Sequence, residues 1–232
     1  MTTTIINTKL YFKVKYYQII MMKKRGFVIP ADEEKVLTDY NYFLQKYIPR
    51  EKGVYLQNNL ENVYNHSSKD NKRITKVIYI REEDETKDQI LKGTTEEIKK
   101  IINSTPNIYN YILISRVKFR TASLTELRDL VSFNIEIFLH DELFYDPTIH
   151  ELQPKMELLS LENSQKFLAQ NRDNKNIKKT CYDDPIVKFL GGILGQIIIV
   201  NRKTSYQSQV ENNMEYRLIN NRSIYEGISD KL

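Results

Sequence analysis

At 232 residues and 41% hydrophobic side chains, the chain is long enough to bury one large core or two small ones, which excludes a protein without a folded core. Its 35 Lys and Arg against 30 Asp and Glu leave a formal charge of +5, too small an excess to argue for nucleic-acid binding by itself. The lone cysteine, Cys181, excludes an internal disulfide and a thiolate zinc cluster, and no apolar run reaches the roughly 18 residues that cross a bilayer.

Leu10, Val14, Tyr17 and Met21 recur at helical spacing, and Lys23 to Arg25 followed by Gly26 supply a basic last turn and a left-handed stop. A helix over about Leu10 to Arg25 is expected. A second helix should follow Pro30, with Tyr40, Phe43, Leu44 and Tyr47 on one face and Pro49 closing it. The stretch from Gln57 to Asn71 is polar and aperiodic and reads as a surface loop. From Ile74 the chemistry turns β-branched and aromatic, giving a strand through Val77 to Ile80 that ends in a charged turn at Arg81 to Glu85. Thr94 and Glu97 have capping-box spacing before the stripe Ile98, Ile101 and Ile102. Tyr109 to Val117 reads as a buried strand, Ser123 and Glu126 as a second capping box ahead of Leu124, Leu127, Leu130 and Val131, and Ile135 to Leu139 as a third strand. Strand, helix, strand, helix, strand implies an α/β layer domain with parallel pairing.

Asp146-Pro147 is a turn signal, and the texture beyond it changes to short strands, one or two helices and Asn- and Lys-rich loops, so a domain boundary is expected there. Asp184 followed by Pro185 offers an N-cap and a first-turn proline for a short helix ending at Gly191. Ile197 to Val200 should be a buried strand and Met214 to Ile219 its partner, joined by a linker too long for a tight hairpin.

Catalytic chemistry is thin. His66, His140 and His150 are far apart, and the His150-Glu151 pair lacks a second histidine on the next helical turn, where Pro154 stands. Gly191, Gly192 and Gly195 lack the Lys-Ser/Thr ending of a phosphate loop, and Asp184 of the Asp183-Asp184 pair already has a capping role. No catalytic residue, cofactor or metal is therefore expected. Arg116, Lys118 and Arg120 alternate toward a helix start at Thr121 and Ser123, where free backbone N–H groups and cations could meet phosphate.

Three segments in order carry a resemblance. Thr148-Ile149-His150-Glu151-Leu152-Gln153-Pro154-Lys155 resembles an H-E-L-x-P-K motif, Asp184-Pro185-Ile186-Val187-Lys188-Phe189-Leu190-Gly191 a D-P-[VI]-x-[RK]-[YF]-[FL]-G segment, and Gly195-Gln196-Ile197-Ile198 a G-[QE]-[VI]-[VI] strand. These are similar to the shared fifth subunit of eukaryotic-type RNA polymerases and its archaeal counterpart. Glu215-Tyr216-Arg217-Leu218 resembles that family's final Y-R-[LI] strand, and Arg202, Thr204 and Ser205 fall near its altered Arg-x-Ser-Glu-Thr loop. Lys24-Arg25-Gly26-Phe27 resembles the end of its first helix, and Thr121-Ala122-Ser123 lies where eukaryotic members carry T-P-S-A. Ala122 replaces that proline, and Gly192-Ile193-Leu194 replaces a basic Leu-Lys-Arg.

The resemblance implies an α/β protein with a jaw-like α/β domain with a small parallel or mixed sheet over residues 1–146, a smaller mixed α/β assembly domain over 147–220 and a tail over 221–232. It implies a non-catalytic polymerase subunit that docks on the largest subunit and shapes the jaw around downstream duplex DNA. Partner binding would fall to Glu151, Leu152, Pro154, Lys155, Asp184, Pro185, Lys188, Gly191, Gly195 and Arg202, and DNA proximity to Arg116, Lys118, Arg120, Thr121 and Ser123. The start, Met1 to Thr8, lacks the layout of a signal peptide, so an intracellular site with no membrane partner is expected. Heavy use of Asn, Ile, Lys and Tyr suggests an AT-rich genome. A cellular source would place the protein in the nucleus, and a large DNA virus would place it in host cytoplasm and the virion. The rivals are a nuclease-like protein and a free-standing DNA-binding module.

Overall fold

Three β-branched runs separated by helical stripes can satisfy their backbone groups only by pairing with one another, and they do so in the first of two units. The computed structural model describes residues 8–48, 56–67, 74–80, 89–90, 92–105, 107–108, 110–128, 134–171, 176–202 and 213–220. The chain divides into two units, Met1–Tyr145 and Asp146–Leu232.

In the first unit, helix α1 (Thr8–Lys24) is followed by α2 (Ala31–Glu34), a 3-10 turn (Lys35–Leu37), α3 (Tyr40–Tyr47) and α4 (Leu56–Leu60). Strands β1 (Asn62–Asn65) and β2 (Ile74–Tyr79) come next, then a two-residue strand β3 (Gln89–Ile90), helix α5 (Lys92–Asn103), β4 (Asn110–Ser115), a second two-residue strand β5 (Lys118–Phe119), α6 (Thr121–Arg128) and β6 (Asn134–Leu139). The main sheet has the order β1-β2-β4-β6. β2, β4 and β6 run parallel, with Val77 opposite Ile112 and Ile112 opposite Glu136, and β1 is antiparallel to β2.

Moving from β2 to β4 to β6 steps across the sheet in one direction, so right-handed crossovers must put α5 and α6 on the same face. Ile98 and Ile102 of α5 and Leu127 of α6 share one buried cluster with Ile78, Tyr111 and Leu113 of the sheet, and Lys99 reaches Glu126 at 2.8 Å. Each such isoleucine or leucine, fully buried, stabilises by about 1.5–3 kcal/mol. α1 covers the other face, which explains why β4 is buried from Tyr111 to Ser115 without alternation.

A buried polar network fastens that helical layer. Lys15 of α1 and Glu33 of α2 pair at 2.6 Å with side-chain exposures of 0% and 1%. Lys15 Nζ also donates to the Leu60 carbonyl at 2.9 Å and lies 5.6–5.9 Å from the rings of Tyr47, Tyr64 and Tyr79. The hydroxyls of Tyr64 and Tyr47 donate to Glu33, and Gln18 Nε2 donates to Tyr64 at 3.1 Å. Burial pushes the Lys15 ammonium pKa below its usual range despite Glu33. Burial pushes the Glu33 carboxyl up, but the Lys15 charge and hydrogen bonds hold it below its ordinary value. At the far end of α1, Arg25 makes two parallel hydrogen bonds to Glu136 of β6, at 3.1 and 2.7 Å.

Several expectations are corrected here. The polar run from Gln57 is regular as far as Asn65, where it holds α4 and β1 and buries Tyr64 to 1% exposure beside Lys15, while Ser68 to Asn71 lie outside the described residues. The second helix is broken, because the Asp39 side chain accepts from the Asn41 N–H and starts α3 afresh. α5 begins at Lys92, so Thr94 lies inside it and does not cap it. α6 begins at Thr121, so Ser123 is a buried helical residue at 4% exposure and not an N-cap. The charged turn at Arg81 to Glu85 lies outside the described residues.

In the second unit, a 3-10 turn (Pro147–Ile149) leads to β7 (Lys155–Leu158), α7 (Leu161–Gln170), β8 (Lys178–Cys181), α8 (Pro185–Leu190), β9 (Ile197–Arg202) and β10 (Asn213–Asn220). The sheet order is β7-β9-β10-β8, with β10 antiparallel to β9 and parallel to β8. α8 covers one face through Val187 against Ile198 and Ile219. On the opposite face Phe167 of α7 stacks on Tyr216 with centroids 4.8 Å apart. The linker between β9 and β10, residues 203–212, lies outside the described residues, as does the 221–232 tail.

Candidate functional site

The segment entering the second unit folds as a tight display. The Asp146 side chain accepts from the Thr148 N–H at 2.9 Å and the Thr148 hydroxyl at 2.7 Å, starting the 3-10 turn. The Gln153 N–H donates to the His150 carbonyl at 2.9 Å and the Leu152 N–H to His150 Nδ1 at 3.3 Å. The backbone is satisfied from within, so the side chains between face outward: Ile149 is 73% exposed and Leu152 87%. Two large apolar groups three residues apart, held that open, are more than the isolated exposed leucine of an ordinary surface.

These side chains border an open groove of about 730 Å³ lined by Thr148 to Lys155 together with Asn201 and Arg202 at the end of β9. Five of the anticipated partner residues, Glu151, Leu152, Pro154, Lys155 and Arg202, therefore converge although Arg202 is remote in sequence. The other five lie elsewhere in the unit, outside the groove lining. Asp184 caps α8 by accepting from the Ile186 N–H at 2.9 Å and the Val187 N–H at 3.3 Å, and Pro185 occupies its first turn. Lys188 is half-buried on the same helix. Gly191, at φ 74°, ends the helix in the left-handed conformation, and Gly195, at φ 82°, makes the turn into β9. These two glycines position backbone. Gly192 carries a requirement that spacing does not reveal: a Cβ there would meet Ile219 Cδ1 and Val187 Cγ1, each at 2.8 Å.

At the end of β10 lies a group of charges only partly anticipated. Glu215 Oε1 is 2.6 Å from Lys178 Nζ, and its Oε2 is 2.9 Å from Arg217 Nη2 and 3.8 Å from Arg202 Nε. The hydrogen bond from Arg217, with that from Lys178, holds the Glu215 carboxyl down to about 2.

In the first unit Arg116, Lys118 and Arg120 are all exposed, but a bend at Arg116-Val117 separates β4 from β5, so they do not continue one strand. Thr121 opens α6, and Ser123 is buried within it. Nearby, His140 is a 2%-exposed ring packed edge-on to Tyr11 at 5.3 Å. Burial and the Arg116 charge push the His140 pKa down to about 4. Among the described residues no three His, Cys, Asp or Glu side chains are grouped to hold a metal ion, and no helix is long and apolar enough to cross a membrane.

Residues 145–219 match the family RNA polymerase Rpb5, C-terminal domain. Over 66 residues the chain is 38% identical to DNA-directed RNA polymerase subunit Rpo5 of the archaeon Sulfurisphaera tokodaii, a match covering 28% of this chain and 79% of that protein. Over 118 residues it is 26% identical to DNA-directed RNA polymerases IV and V subunit 5B of Arabidopsis thaliana, covering 50% of this chain and 52% of the plant subunit. The chain thus spans about half the length of the plant relative and about four-fifths of the archaeal one. With a fold, a motif-bearing turn and an archaeal relative matched along most of its length, the chain belongs to the RNA polymerase subunit 5 (Rpb5/Rpo5) family.

Proposed function

We propose that the protein is a non-catalytic subunit of a multisubunit DNA-directed RNA polymerase inside the cell, and that residues 147–220 form the domain that docks it on the largest subunit. The observation that carries this reading is the groove framed by Ile149 and Leu152, which brings the H-E-L-x-P-K turn together with Arg202. An apolar centre with Glu151, Lys155 and Arg202 at its rim has the make-up of a subunit contact, where aromatic or aliphatic anchors hold and rim charges select. In this reading Asp184, Pro185, Lys188, Gly191 and Gly195 serve the contact by fixing the sheet and α8 beneath it.

The first unit in this reading forms part of the jaw beside downstream DNA, with Arg116, Lys118 and Arg120 near the duplex and Thr121 at the helix start. Ser123, being buried, supports α6 and does not touch phosphate. Cations at the end of a loop hold phosphate without reading sequence. The test is isolation of the tagged protein from its source under native conditions. One copy per polymerase, with the two very large chains present, is the expected result, and a lone monomer carrying nuclease activity would overturn it in favour of the enzyme rival. In that complex Lys118→Ala with Arg120→Ala should speed dissociation of stalled elongation complexes on all sequences alike and flatten the salt dependence. Unchanged rates and slopes would remove the DNA role and leave the docking role standing.

A further inference from the structure

The Gln153 N–H donates to the His150 carbonyl at 2.9 Å, so His150 to Gln153 close a β-turn with Leu152 at its third position. The Leu152 N–H then donates to His150 Nδ1 at 3.3 Å. The first position of such a turn usually holds Asp, Asn or Ser, because a short polar side chain there accepts the N–H two residues on. In this turn a ring nitrogen of histidine takes that place. Upstream, the Asp146 carboxylate secures the start of the segment at Thr148. The direction of Leu152, whose side chain is 87% exposed, therefore follows from how its own backbone N–H is held.

That bond requires one protonation state. Leu152 supplies the hydrogen, so Nδ1 must supply the lone pair and the ring proton must sit on Nε2. A charged imidazole carries hydrogen on both nitrogens and cannot accept. Protonation would thus set two N–H groups against each other at the point that aims Leu152. His150 is exposed, so water can deliver the proton, and histidine is the side chain that ordinarily changes charge between about pH 5 and 8. The charged groups around the segment are Asp146 and Glu151, which attract a charged ring, and Lys155 of β7 and Arg202 of β9, which repel it.

We infer that neutral His150 is the positioning residue of the docking turn, and that protonating it releases Leu152 from its contact-ready direction, so that docking weakens as the ring becomes charged. This rests on the polymerase-subunit reading and deepens it, since it names what regulates the contact. The effect is modest in size. One exposed intramolecular hydrogen bond holds a segment by a factor of roughly two to ten. A partner that binds only the ordered turn loses apparent affinity in proportion to the fraction of turn that remains ordered. The rival account, in which His150 only fills space beside the groove, predicts no difference between side chains that can accept the Leu152 N–H and side chains that cannot.

The test compares full-length wild type, His150→Asn and His150→Ala. Asparagine offers a side-chain acceptor for the same N–H and does not titrate, whereas alanine offers none. In the free protein, protection of the Leu152 amide from hydrogen exchange should fall by roughly two- to tenfold in wild type between about pH 7.5 and about pH 5.5. It should stay constant in His150→Asn and be low at both pH values in His150→Ala. All three should unfold alike at the higher pH, because the position is exposed. Retention of tagged wild type with the polymerase should drop by a similar factor relative to His150→Asn, since titrations elsewhere in the complex are common to both. Equal amide protection in wild type and His150→Ala, or equal retention of wild type and His150→Asn at the lower pH, would overturn the inference while leaving the docking reading intact. Absence of the protein from any polymerase would overturn both.

Discussion

In the first unit the central ion pair is sealed, with Lys15 and Glu33 at 0% and 1% exposure, whereas in the second two of the three cations around Glu215 lie open, Lys178 at 72% and Arg202 at 56%, and Arg217 is partly covered at 22%. The same chemical groups therefore do different work. A buried pair with all its hydrogen bonds satisfied holds elements in one arrangement, and removing one partner leaves a charge without water or counter-ion. An exposed cluster contributes little to stability, because solvent already screens it. The lesson is that charge in the first unit specifies the fold, whereas most of the charge around Glu215 in the second faces solvent.

The largest effect should come from breaking the sealed pair. Lys15→Met strands Glu33 among tyrosines and should destabilise the first unit by about 3–5 kcal/mol, whereas Lys15→Met with Glu33→Leu should recover much of that loss. Denaturation followed by circular dichroism on the full chain reads both. Equal losses in single and double variants would mean that the pair is not what fastens α1 to α2.

Acid sharpens the contrast. His140 has a folded pKa near 4, below its ordinary 6.5, so the fold favours the neutral ring. Its contribution is full above about pH 6.5, declines as the pH falls toward 4 and is lost below that, by about 3 kcal/mol in total. The depressed carboxyls of Glu33 and Glu215 contribute above the ordinary carboxylate range and lose their effect at lower pH, toward their folded values. Stability of wild type against His140→Phe between pH 7 and 4 should therefore diverge in slope. Parallel curves would show that the ring is not held neutral.

How much of this could be read in the sequence follows from the range of each interaction. The α8 caps are local: Asp184 and Gly191 act within one turn, and both positions are legible from residue type. Parallel pairing of β2, β4 and β6 is likewise written in the alternation of strand and helix stripes. Tyr64 was hidden because β1 buries one residue in four amid asparagines, leaving no period to detect. Ser123 misled because capping chemistry depends on where the backbone turns helical, and α6 turns two residues earlier. Lys15 reads as a solvated lysine until Glu33, Tyr47, Tyr64 and Tyr79, spread over four elements, are brought around it. The groove was legible in part. The turn carries a recognisable motif, but Arg202 joins it only through the β7–β9 register, Lys155 opposite Asn201.

A smaller effect is expected at Gly192. Val187, Leu158 and Ile219 close over it, so Gly192→Val overpacks the junction of α8 and the sheet by about 1–3 kcal/mol, less than breaking the Lys15 pair. Thermal unfolding that leaves the second unit unaffected would show that the junction can give way.

The smallest expected change in stability belongs to the most informative variant. Leu152 is 87% exposed, so Leu152→Asp should alter folding by no more than about 0.5 kcal/mol. The central claim is that this turn is a contact surface, and the measurement is the fraction of tagged Leu152→Asp protein retained with the polymerase at equal expression, against wild type. Retention lowered by roughly tenfold or more with an unchanged unfolding curve is the predicted result. Full retention of a folded Leu152→Asp variant would contradict the claim.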